Sequence, residues 1–233
     1  MLPTVTDFLR PKPDRPRGRQ APAWCGLAAI LLLCLGACAG GVDPQPMSSV
    51  EVPSAFTTKV AGTWALVIAD RSLDTQIEPP DLACGGNTFP VDMEARLRRF
   101  MVQSFSQVAD QVVLAEHEMA ASDLKSQGYT GQIVVASTAL TPNVTFRRTG
   151  LSALVDSDME LGATIEVSGH AGVLYRHAFS LTGISHADAG IICQKGSAAI
   201  ARAADSAMQQ LSIASASAFA DSPEIRLPPH ARY

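Results

Sequence analysis

The longest apolar run in this 233-residue chain, residues 24–37, is about a dozen residues long. A helix crossing a hydrocarbon core needs roughly 20. A protein made of membrane-spanning helices is therefore excluded. Basic residues are scarce beyond the first 20 positions. Arg10, Lys12, Arg15, Arg17 and Arg19 all precede the apolar run, and beyond residue 37 the chain keeps 13 basic against 20 acidic residues, a formal charge of −7. With no basic stripe in that part, the balance argues against nucleic acid or a bare anionic lipid surface as a partner, because both select positive patches.

Catalytic signatures are also missing. There is no G-x-S-x-G elbow, no P-loop and no glycine-rich dinucleotide loop. His117-Glu118-Met119-Ala120-Ala121 starts like a zinc-protease helix but has Ala121 where the second histidine must stand. Ser122-Asp123-Leu124-Lys125 matches the acylase pattern S-x-x-K, and Ser157-Asp158-Met159 loosely matches its S-D-N companion, yet no K-T-G follows. Two fixed positions in four recur often by chance, so Ser122 reads equally well as a helix-end or turn residue.

What is present begins with an export signal. A basic segment leads into the apolar run Trp24 to Ala37, which is the order of a secretory n-region and h-region. The run closes on Leu35-Gly36-Ala37-Cys38. This tetrapeptide resembles the bacterial lipobox, in which a leucine and two small residues precede a cysteine that receives lipid. The resemblance implies cleavage after Ala37 and acylation of Cys38 with a diacylglycerol thioether and an amide-linked chain such as palmitate. Several chains hold a protein on a membrane where one would be marginal. Ala39 follows the cysteine rather than aspartate, which by the sorting rule of such lipoproteins points to the outer membrane, facing the periplasm.

With 47% hydrophobic and 17% charged residues, the chain has the composition of a globular protein. The expected organisation is a signal over 1–37, a flexible tether over 38–57, a domain over 58–220 and a loose tail over 221–233. The tether reading rests on Gly40-Gly41, Pro44, Pro46, Ser48-Ser49 and Pro53. Val60 to Asp70 is apolar on both faces and reads as a central strand. From Asp92, the residues Met93, Leu97, Phe100, Met101, Phe105, Val108 and Val112 recur at spacings of three and four, an amphipathic helix. Strands are expected at 131–141, 159–168 and 172–184, the last two joined through the turn Gly169-His170-Ala171-Gly172. An alanine-rich helix is expected from Ser197 to Phe219, able to lie close against a sheet.

The fold class is therefore α+β: a two-layer sandwich in the order β-α-β-β-β-α, with a mostly antiparallel sheet and two helices on one face. In this element order and in its alanine-rich last helix, the stretch 58–220 resembles the periplasmic domains of small outer-membrane lipoproteins. Among them are the penicillin-binding-protein activator LpoB, the YajG-like lipoproteins and the lipopolysaccharide-assembly protein LptE.

Cys25 and Cys34 belong to the signal and Cys38 to the lipid, which leaves Cys84 and Cys193. Two thiols in an oxidising compartment most simply pair, here closing a loop of about 108 residues. His177 shares a strand face with Val173, Tyr175, Phe179 and Leu181 and reads as a half-buried structural histidine. His170 lies in a turn and His186 after a strand, and nothing in the spacing makes the three converge on a metal. Glu160 and Glu166 fall on the wet face of one strand. No catalytic residue, metal or cofactor is assigned. The expected function is a non-enzymatic one: a lipid-anchored accessory protein that binds an unidentified periplasmic or outer-membrane protein. The alternatives are a carrier of an apolar envelope molecule and a small cell-envelope enzyme.

Overall fold

The computed structural model describes residues 52–226, apart from positions 54, 56, 70–72, 79–83, 85, 86, 192 and 194. The expected export signal with Leu35, Gly36 and Ala37, the expected lipidation site Cys38 and the first part of the expected tether lie outside the described residues.

β1 (Val60–Ala69) places Trp64, Leu66 and Ile68 in the main core, while Ala65 and Val67 on the other face are buried too. A strand buried on both faces belongs inside a sheet. The small ribbon of β2 (Thr75–Ile77) and β3 (Phe89–Val91) follows, and then α1 (Glu94–Val108). β4 (Ala109–Ala115) returns parallel to β1 on one side. After the short α2 (Ala121–Ser126), β5 (Gly131–Thr149) pairs in parallel with the other side of β1. β6 (Ser152–Gly169) and β7 (Gly172–Gly190) add antiparallel, so the strand order is β4-β1-β5-β6-β7. Two further helices follow, α3 (Gly196–Asp221) and the single turn α4 (Pro223–Arg226).

The fold is α+β, but the sheet is mixed rather than mostly antiparallel, and the element order is longer than β-α-β-β-β-α. The main difference is β4. Val112 stands four residues after Val108 and continues the helical period, yet α1 stops at Val108 and Ala109 turns to extended backbone. Edge pairing with β1, together with the β-branched pair Val112-Val113, overrides the helical reading. The second difference is strand length. β5 and β7 run well past the expected ends at 141 and 184, and β6 begins well before 159. Pro142 would ordinarily break a strand, but β1 pairs with β5 only up to Ala136, so Pro142 lies where one side of β5 is an open edge, the setting in which a strand tolerates proline.

α1 turns Leu97, Phe100, Met101, Phe105 and Val108 inward, as the spacing predicts. Asp74 Oδ1 accepts hydrogen bonds from the backbone N–H groups of Met93 and Glu94 at 3.0 and 3.3 Å, satisfying donors that a helix start leaves open. α3 spans about 39 Å at 1.5 Å per residue and packs on β6, β7 and α1. Alanines allow the close approach, and Gly183 of β7 requires it: a Cβ there would sit 1.9 Å from the Ala203 carbonyl oxygen. Where α1, α3 and β1 meet, Phe219 makes edge-on contacts with Trp64 and Phe105, ring centroids 5.0 and 5.6 Å apart.

Two boundaries shift. Composition makes the tether flexible through residue 57, yet Val52 N–H donates to Gln107 Oε1 at 3.0 Å, Ala55 N–H to Asp221 Oδ1 at 3.0 Å, and Ser217 Oγ to the Pro53 carbonyl at 2.6 Å. Prolines make the tail loose from 221, but Asp221 closes α3, Ile225 is buried, and Arg226 bonds the carbonyls of Thr58 and Ala220. Residues 227–233 lie outside the described residues.

Candidate functional site

The groups that the sequence offers for chemistry are dispersed. Ser122 and Lys125 are both exposed on α2, and the hydroxyl of Ser122 makes a 3.5 Å contact with Asp123 Oδ1. The three histidines spread along β7 and its turn. Nine residues separate His177 from His186, about 30 Å of extended chain, and an odd separation puts them on opposite sheet faces. His170 Nε2 pairs with the Tyr129 carbonyl at 2.7 Å. His177 lies beside the rings of Tyr175 and Phe179, at centroid distances of 6.2 and 4.6 Å. His186 Nδ1 bonds Asp156 Oδ1 at 2.8 Å.

Val173 leaves the face that alternation assigns it with Tyr175. The pairing with β6 shifts between Val167 and Ser168, Val173 comes to lie opposite Ser168 on the outer face, and Leu174 packs on the core instead. A bulge of one residue is enough to reverse which face a side chain takes.

Three carboxylates of β6 are engaged on the outer face. Glu160 accepts from Ser180 Oγ at 2.5 Å and Glu166 pairs with Arg176. Asp156, which no sequence motif marks, lies between His186 and Arg147, and first the His186 bond and then the Arg147 bond hold its carboxyl below the ordinary value of 3.8. On β7, burial and then the Glu224 charge push the Tyr175 phenol above its usual 10.0.

Cys84 and Cys193 form a disulfide, Cα atoms 5.9 Å apart, at a sequence separation of 109. It lies in the loops before β3 and before α3, near the stacked rings of Phe89 and Phe146, whose centroids are 5.4 Å apart. The cross-link therefore fastens the β2–β3 ribbon to the start of α3 at the end of the sheet where β5 turns into β6.

That end carries the most exposed large apolar side chains of the described domain. Leu151, in the β5–β6 turn, is 85% exposed, and Ile191, just past β7, is 75% exposed. Ala153 pairs with Gly190, so the two lie side by side at the strand ends. Leu154 and Ile184 are both exposed on the outer sheet face, four rungs apart along β6. Flanking glycines, Gly150 and Gly190, both with positive φ, make these positions read as ordinary turn residues in the sequence.

No protein-family model matches the chain, and neither does any curated protein sequence. Several solved structures are similar in fold. A Xanthomonas campestris protein of the family DUF330 superposes at a TM-score of 0.44 with 10% identity, over 71% of this chain and 88% of that one. The PelC dodecamer subunit of Paraburkholderia phytofirmans does so at 0.35 with 12% identity, over 76% and 96%. A minor lipoprotein of Acinetobacter baumannii does so at 0.35 with 13% identity, over 66% and 90%. These are loose superpositions.

Proposed function

We propose that the protein is a lipid-anchored accessory component of the bacterial envelope that binds and supports a protein complex there and catalyses no reaction. The observation that carries the reading is the pair of highly exposed apolar side chains, Leu151 and Ile191, at the end of the sheet where β5 turns into β6. Water-exposed leucine and isoleucine gain when a partner covers them, by about 25 cal/mol per Å² of apolar area. Large apolar side chains left this exposed at one end of a domain mark a candidate interaction surface. The lipobox at Leu35-Gly36-Ala37-Cys38 supports attachment through Cys38 to the outer membrane, facing the periplasm.

The test is crosslinking and pull-down from the native envelope with wild type, Cys38→Ser and the double variant Leu151→Asp, Ile191→Asp. A defined partner recovered with wild type and lost with both variants is the expected result. Recovery of lipid or glycan without protein would sink this reading in favour of a carrier or a small envelope enzyme.

A further inference from the structure

At the end of the sheet opposite Leu151, the segment before β1, the α2–β5 connection, the β6–β7 turn and α4 surround a half-open cavity of about 780 Å³. Its inner wall is apolar: Trp64, Leu174 and Ile225. The indole N–H of Trp64 is already committed to the Ala61 carbonyl at 3.2 Å, so the nearly buried ring offers the cavity no free donor. Around the rim are Lys59, Lys125, His170 and Arg226, and none of the described lining residues is acidic.

This distribution runs against the composition. The chain beyond residue 37 is formally −7 with 20 acidic residues, yet the cavity collects only basic ones, each from a different segment. Lys59 Nζ and His170 Nε2 contact backbone carbonyls, of Ser106 at 2.7 Å and of Tyr129 at 2.7 Å, which are neutral partners and cancel no charge. A low-dielectric wall beside such a rim strengthens attraction for an anion. The volume falls in the range of small-molecule sites, about 300–1,000 Å³.

We propose that this cavity binds a single-chain anionic amphiphile, an acyl chain that ends in a carboxylate or a phosphate. The chain lies against Trp64, Leu174 and Ile225, and the head group sits among Lys59, Lys125, His170 and Arg226. The site is independent of the Leu151 end, so its occupancy does not depend on the partner-binding reading.

The experiment uses the full chain with Trp24→Phe, which leaves Trp64 as the one indole. Bromine quenches tryptophan at short range, so the probes are dibromostearate, its methyl ester, a dibrominated lysophosphatidate and inorganic phosphate as competitor. Saturable quenching by one or both acids is expected, and the tighter of the two identifies the head group. The uncharged ester should bind about tenfold more weakly. Lys125 is exposed, so Lys125→Glu leaves the fold intact and should weaken the acid about fivefold, an effect that fades as salt screens it. Ala171→Phe, filling the mouth, should abolish quenching. Ester and acid binding equally, quenching indifferent to both substitutions, no saturable quenching by either acid, or displacement of the acid by equimolar inorganic phosphate would each overturn the proposal.

Discussion

The guanidinium of Arg226 donates through both terminal nitrogens to the carbonyl of Thr58, each at 3.1 Å, across 168 residues of chain. This joins the last described helical turn to the segment leading into β1. Arg226→Ala is expected to lower stability by about 1–3 kcal/mol, in line with hydrogen bonds from a charged donor. Denaturant unfolding checks the loss. Hydrogen exchange should show it concentrated in residues 52–60 and in α4, because this contact ties those two segments together.

Reduction of the Cys84–Cys193 bond frees a loop closed across a separation of 109 residues. The chain-entropy account gives about 4–5 kcal/mol for a loop of this length. Cys84→Ser with Cys193→Ser, or wild type in excess reductant, should each lower the unfolding free energy by that much. Agreement of the two would show that the effect belongs to the cross-link rather than to either side chain.

Asp156 titrates below its ordinary value because His186 and then Arg147 bond its carboxylate. A carboxyl whose pKa is lower in the folded chain stabilises the fold above its unfolded value, and that contribution is lost as pH falls through the folded value. The stability difference between wild type and Asp156→Asn should thus be present in full above the ordinary carboxylate range and fall away as the pH drops below it. A difference that instead grew on acidification would contradict the assigned contacts.

Where one periodicity dominates, the sequence is readable. The inward stripe of α1 needs no tertiary context, because Leu97, Phe100, Met101 and Phe105 recur at helical spacing by themselves. The doubly apolar β1, the Gly169–Gly172 turn and the pairing of Cys84 with Cys193 are legible for similarly local reasons. β4 is not, because Val112 satisfies a helical period and a strand equally well until β1 is placed beside it. Pro142 hides the second half of β5, since only the length of β1 reveals that the strand edge is open there. The reversal of Val173 depends on a register shift, and the exposure of Leu151 and Ile191 depends on what fails to cover them. The cavity is assembled from four distant segments, so no stretch of sequence carries its signature.

The hydrogen bonds between Arg226 and Thr58 also fix an orientation. The described chain begins and ends at the same pole of the sheet, the pole that holds the cavity. Leu151 lies at the other pole, at the far end of the 18-residue β6, about 55 Å away along the strand. Anything joined by a short linker directly at residue 52 or residue 226 would therefore leave from the cavity pole, on the side opposite Leu151.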